Sequence, residues 1–134
     1  MVVDTSALVA ITLREPTRMW LIEALANATE RVIAAPTVLE LGIVLESRLG
    51  VAGVADRSIR EGAIDVRPFT SDLAERGIAV WRRFGKGRHP AALNFGDCCT
   101  YALAEETGWP ILCTGDDFAR TGWPILSPAG PARS

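Results

Sequence analysis

The sequence predicts an α/β domain in which a central parallel sheet of four to five strands is flanked by helices in three α/β/α layers. Three observations point there. Short apolar runs alternate with longer stretches of helical periodicity. The helical stretches are punctuated by proline near their starts, at Pro16 and Pro36, and by glycine at their ends, at Gly50 and Gly108. The 134 residues are 49% hydrophobic, enough for a core without disulfides or structural metals.

Taken in order, Met1 to Asp4 is a short apolar run ending in an acid, and Thr5-Ser6 begins a helix. Glu15-Pro16 opens a second helix carrying Trp20, Leu21, Leu25 and Ala28 at helical spacing. Arg31 to Ala35 is brief and β-branched, hence a strand. Pro36 suits a first helical turn, and that helix runs to about Gly50. Val54 to Gly62 reads as a short helix and Val66 to Phe69 as a weak third strand. Ser71 to Phe84 is helical, with Leu73, Ile78, Val80 and Trp81 on or near one face, and 85–90 is a loop. Asn94 begins the helix that ends at Gly108.

The tail repeats itself. Thr107-Gly108-Trp109-Pro110-Ile111-Leu112 recurs as Thr121-Gly122-Trp123-Pro124-Ile125-Leu126, fourteen residues later. Glycine closes a helix, proline prevents its continuation, and Ile-Leu starts a strand. Strands separated by helices imply parallel pairing through right-handed crossovers. No linker divides the chain, so residues 1–134 are expected to form one domain.

Cys98, Cys99 and Cys113 are odd in number, two of them adjacent, so no disulfide framework follows and reduced core residues are expected. No apolar run approaches the roughly 20 residues of a membrane span, and the first residues lack the regions of a signal peptide. A cytoplasmic protein is the expectation.

Net charge is −2. If four carboxylates share one pocket, twelve acids remain against fourteen basic side chains, thirteen of them arginine, which suits phosphate. An RNA substrate is permitted, not demanded.

The candidate acids are Asp4, Glu40, Asp97 and Asp116. Singly, three of them read as helix caps: Asp4 before Thr5-Ser6, Asp97 as the acidic partner of Asn94 in a capping box, and Asp116 after a strand. Glu40 shares a helical face with Ile43 and Val44, where an unpartnered carboxylate would cost several kcal/mol, roughly. A salt bridge to an arginine would be its structural explanation. Topology joins the four. In a parallel α/β sheet, helix N-termini lie at the carboxyl edge of the strands, where such sheets place their ligands. Carboxylates converging there repel unless protonated or neutralised by a cation. All-oxygen ligation suits Mg²⁺ or Mn²⁺. The single histidine, His89, lies in a loop, which disfavours a histidine-centred triad or zinc site and leaves metal-activated water as the natural nucleophile.

With these residues in hand, the chain resembles the PIN-domain ribonucleases, specifically the VapC-type toxins of VapBC toxin–antitoxin systems. The matching segments are 3–7 around Asp4, 36–40 ending at Glu40, 93–98 around Asp97 with its continuation at 101–104, and 114–118 around Asp116. The resemblance implies a PIN-like fold, with Asp4 and Asp97 as principal metal ligands and Glu40 and Asp116 completing the acidic pocket. Ser6 or Thr114 would supply hydroxyls behind them, and Asp117 is the alternate for Asp116. It further implies metal-dependent RNA cleavage, a homodimer, and inhibition by a cognate VapB-type antitoxin. Lys86 and Arg88, in the densest basic segment, are candidates for RNA contact, the alternative being a solvated loop.

Rival classes lack their residues. A phosphoryl-accepting receiver needs an aspartate ending the third strand and a lysine near the end of the fifth; a dehalogenase-type phosphatase needs an aspartate two residues after Asp4. A catalytically silent PIN-like protein-binding or signalling domain is opposed only by the intact acids.

Overall fold

Five very short strands build the sheet: β1 (Val2–Val3), β2 (Val32–Ala34), β3 (Asp65–Arg67), β4 (Ile111–Leu112) and β5 (Ile125–Leu126). All are parallel, in the order β3-β2-β1-β4-β5. Six helices connect them: α1 (Thr5–Thr12), α2 (Arg18–Asn27), α3 (Ala35–Leu49), α4 (Val54–Glu61), α5 (Ser71–Phe84) and α6 (Phe95–Thr107). The computed structural model describes residues 1–128 of the chain; 129–134, the end of the expected domain, lie outside the described residues.

Strand alternation sorts the core into two halves. Val2, Val32, Ala34 and Ile111 face α5 and α6, meeting Leu73, Val80, Phe84, Tyr101 and Leu103. Their neighbours Val3, Ile33 and Leu112 face the opposite layer, meeting Leu8, Leu21, Leu25, Leu41, Leu45 and Ile59 of α1 to α4. Each strand is therefore apolar at every residue except β3, which lies at the sheet edge. The three-layer α/β/α arrangement is the expected one.

Local signals act as the sequence indicates. The Asp4 carboxylate accepts the Ser6 N–H and caps α1. Pro36 sits in the first turn of α3, which ends at Gly50 with φ of 67°, a left-handed conformation that favours glycine. The tail repeat pairs with itself in register: Ile111 lies opposite Ile125 and Leu112 opposite Leu126. In both copies the threonine hydroxyl accepts the N–H of the following tryptophan, Trp109 and Trp123 respectively. The Trp123 indole N–H then donates to the Trp109 carbonyl at 2.9 Å, tying one copy to the other. Cys98, Cys99 and Cys113 are free and buried. Among the described residues, no helix is long and apolar enough to cross a membrane.

Three expectations shift. The second helix starts at Arg18 rather than at Pro16, and Ala28 is its C-cap. The third strand is Asp65–Arg67 rather than Val66 to Phe69, because Pro68 has no N–H for the ladder. In α5 the buried residues are Leu73, Val80 and Phe84, while Ile78 and Trp81 are 50% and 43% exposed. At about 100° per residue, Ile78 points roughly 140° away from Leu73, so the expected four-residue face does not exist.

The two faces of α3 give a direct test of this packing. Leu41 is fully buried while Leu39 is 66% exposed. Leu41→Ala is expected to lower unfolding free energy by about 2–5 kcal/mol in urea titration, and Leu39→Ala to change it by no more than about 0.5 kcal/mol. Equal losses would show that α3 is seated differently.

Candidate active site at the carboxyl edge of the sheet

The strand order reverses around β1: the chain steps outward to β2 and β3, then returns to β4 on the other side. The crevice between β1 and β4 is the switch point at which open α/β sheets bind ligands. Asp4 directly follows β1 and is buried to 5% exposure. Its Oδ2 accepts from the Ser6 N–H at 3.1 Å and the Ser6 hydroxyl at 2.7 Å, and its Oδ1 accepts from the Thr100 hydroxyl at 2.9 Å. The Thr37 hydroxyl lies 3.5 Å behind that of Thr100. Since Thr100 spends its proton on Asp4, Thr37 can only donate in that pair. Ser6 Oγ in turn accepts the Thr114 N–H at 3.0 Å, so Thr114 enters the network through its backbone and ties the β4 exit to the β1 exit.

Asp97 sits in the first turn of α6, where the anticipated capping box forms: Asn94 Oδ1 accepts the Asp97 N–H at 2.9 Å and Asp97 Oδ2 accepts the Asn94 N–H at 3.0 Å. Glu40 lies in α3 and accepts the Thr5 hydroxyl on Oε1 at 2.5 Å. The apolar surroundings expected for it are only partly real, since Ile43 is 63% exposed. Its partner is a threonine, not an arginine. Among the described residues the ion pairs engage Asp56, Asp65 and Glu105, and none reaches Asp4, Glu40, Asp97, Asp116 or Asp117.

The carboxylates act on one another. Burial pushes the Asp4 carboxyl above its usual range against the hydrogen bonds from Ser6 and Thr100, and the Glu40 charge pushes the same way. Burial raises the Asp97 carboxyl to about 7 against the Asn94 N–H, helped by the charges of Asp4, Asp117 and Glu40. Burial likewise lifts the Cys113 thiol to about 12, with Asp4, Asp117 and Asp97 contributing. Of the adjacent Asp116 and Asp117, it is the Asp117 charge that contributes to the Asp97 and Cys113 shifts. Asp116 and Asp117 are both exposed, and Asp116 does not cap a helix; its carbonyl accepts the Arg120 N–H in a turn. Lys86 and Arg88 are exposed, and the Arg88 guanidinium lies over the Trp81 ring at 4.2 Å rather than against an acid. Trp81 is a surface residue and no part of the core. A cavity of about 690 Å³ lined by residues of α1, α2 and α4 contains none of these acids.

Thr5, Thr37, Gly96 and Thr100 were not singled out by the sequence. Thr100 was within reach, because it follows Asp97 by three residues and so shares its helical face. Thr5 and Gly96 adjoin two of the acids in the chain, but only the tertiary structure shows that both meet Glu40.

Among the described residues, no three Asp, Glu, His or Cys side chains close on one point as a ready metal cage. Mg²⁺ does not need one: it keeps several waters and takes one or two carboxylates directly. Asp4 has accepting capacity left beyond its three hydrogen bonds, and Asp97 has Oδ1 beyond the bond made by Oδ2. An all-oxygen donor set of crowded carboxylates fits such a cation.

A fold of this topology with clustered acids at the switch point defines a class. The chain belongs to the PIN domain family, which matches residues 1–124. Within it the chain stands with the VapC proteins. It is 42% identical over 120 residues to a ribonuclease VapC of Mycolicibacterium smegmatis, covering 88% of this chain and 93% of that one. It is 45% identical over 121 residues to ribonuclease VapC36 of Mycobacterium tuberculosis, covering 88% and 87%. The fold is shared with the crystal structure of Mycobacterium tuberculosis VapC20, described as a sarcin–ricin loop cleaving toxin, at a TM-score of 0.72 and 19% identity over 95% of this chain and 98% of that one. A toxin–antitoxin complex from Klebsiella pneumoniae gives 0.70 at 17%, over 95% and 96%.

The raised Asp97 carboxyl carries a sign. Its folded value of about 7 exceeds its ordinary 3.8, so the folded protein holds this proton more tightly than the unfolded chain. The stability it contributes is present below about pH 4 and is lost as pH rises through about 7. Metal-free wild-type protein is expected to lose Tm over that window relative to Asp97→Asn, measured by scanning fluorimetry. Parallel curves for the two proteins would contradict this environment for Asp97.

Proposed function

We propose that the chain is a divalent-cation-dependent endoribonuclease, the toxin of a VapBC-type pair. The observation that carries this reading is the buried Asp4 and half-buried Asp97, whose carboxyls are pushed upward by burial with the charges of half-buried Glu40 and exposed Asp117 contributing, and which have no basic partner among the ion pairs of the described residues. Such a cluster wants positive charge. The 42–45% identity to proteins named as VapC ribonucleases supports the substrate class.

Asp4 and Asp97 would hold Mg²⁺ or Mn²⁺ directly, with Glu40 and Asp117 engaging it through water; Asp117 takes the fourth place in preference to Asp116. Such a cation, when bound, neutralises charge on a phosphoryl oxygen and lowers the pKa of a nearby water. Ser6 and Thr100 fix both oxygens of Asp4, so its carboxylate does not swing as the phosphate arrives. The Asn94 N–H does the same for one oxygen of Asp97. In the reaction, water adds to phosphorus and loses a proton to the acidic cluster. One P–O ester bond breaks and the departing ribose oxygen is protonated, leaving a phosphate monoester and a hydroxyl. Lys86 and Arg88 would contact the flanking phosphates as exposed donors. We further infer neutralisation by a cognate VapB-type antitoxin, a homodimer, and a cytoplasmic location.

Purified, antitoxin-free protein is expected to cleave RNA with Mg²⁺ and to stop with EDTA. Asp4→Asn and Asp97→Asn should each lower cleavage by about 100-fold or more. Asp117→Asn should cost far more than Asp116→Asn. Full activity in Asp97→Asn would sink the assignment, and binding of RNA without cleavage by the wild type would favour a silent binding domain.

A further inference from the structure

Gly96 occupies the second position of α6, is buried, and has no positive φ that would require glycine. Glycine weakens a helix relative to alanine, so its place needs another explanation. The space beside it supplies one. A Cβ built on Gly96 would lie 2.8 Å from the Cδ and Oε1 of Glu40 and closer still to Oε2. The missing side chain is therefore the volume that the Glu40 carboxylate fills. On its other side the carboxylate receives the Thr5 hydroxyl from α1.

We propose that Gly96 is a positioning residue for the acidic site: with Thr5, it seats the Glu40 carboxylate against the first turn of α6, next to Asp97. This deepens, and rests on, the metal-dependent reading above. The clash is with the end of a flexible side chain, not with backbone. A methyl group at 96 would displace the carboxylate without disturbing the core, and alanine would favour the helix. The functional and structural consequences should then have opposite signs, which a packing role cannot produce. Thr5 is spaced for its part by the Asp4 cap itself, since it is the first residue of α1.

The test uses the full chain with Gly96→Ala, Glu40→Ala and the double variant, reading Tm without metal, Mn²⁺ binding by calorimetry, and the metal-free crystal structure of Gly96→Ala. Expected are a Tm equal to or above wild type, Mn²⁺ binding weaker by about ten-fold, and a Glu40 carboxylate moved off Thr5. In the Glu40→Ala background, where the obstacle is gone, Gly96→Ala should cost no further Mn²⁺ affinity. Wild-type Mn²⁺ affinity in Gly96→Ala, a Tm loss like that of a core truncation, or an undiminished effect in the Glu40→Ala background would each overturn the proposal while the metal reading stands. A wild-type protein that binds no Mn²⁺ would overturn both.

Discussion

A carboxylate taken out of water at the end of β1 sets the terms for everything around it. Asp4 is 5% exposed, and an ionised acid with so little solvent must find hydrogen bonds or charge in the protein. It has three donors, from Ser6 twice and Thr100 once. These come from α1 and α6, so the burial of one side chain fixes how two helices meet the sheet. Ser6 then reaches the Thr114 N–H beyond β4, closing the crevice between β1 and β4 with a hydrogen-bond chain rather than apolar packing. The hydrogen bonds do not fully offset burial, because the carboxyl is still driven upward in pKa. The carboxyl is left favouring a proton or a nearby positive charge.

The shortness of the strands makes this arrangement possible. β1 has two residues, one for each half of the core, and the third position is already Asp4. A strand this brief cannot hold a sheet together through ladder hydrogen bonds alone; the helices packed on both faces do that work, α5 against α6 on one side and α1, α3 and α4 on the other. Each chain exit from the sheet is thereby delivered to the same edge within a residue or two. The acids of two helices, Glu40 and Asp97, the α1 cap Asp4 and the loop after β4 come to one edge for that reason.

Legibility followed the range of the interactions. Signals that act over one helical turn were plain in the sequence: the Asn94–Asp97 box, Pro36 at the start of α3, and the twin Gly-Trp-Pro exits. Apolar runs also located the strands, except where Pro68 cut β3 short and moved it to Asp65–Arg67. The helical face proposed for α5 failed because Ile78 and Trp81 are apolar yet outward-facing, and hydrophobicity alone does not give the phase of a helix. Asp116 and Asp117 are adjacent and both exposed in one turn, so no local pattern ranks one above the other. Contacts such as Thr5 to Glu40 and Thr100 to Asp4 span 35 and 96 residues, beyond any spacing rule.

Capping and acidic-site roles looked like competing explanations for Asp4 and Asp97, and the structure shows why they do not compete. A helix N-terminus carries partial positive charge and unsatisfied N–H groups, so it is the place where a carboxylate is least unfavourable when water is withdrawn. Asp4 uses the Ser6 N–H and Asp97 the Asn94 N–H in this way. Each bond spends one lone pair of one oxygen and leaves others directed elsewhere. The cap therefore anchors the side chain without consuming it. Asp97 shows the balance: the Asn94 N–H lowers its pKa, yet burial and three neighbouring carboxylates still carry it to about 7. A cap that served only its helix would gain nothing from being placed beside three other acids. Bringing two capped helices to one sheet edge is thus a low-cost route to a crowded carboxylate site, because the fold already provides the local partners that each acid needs when no cation is bound.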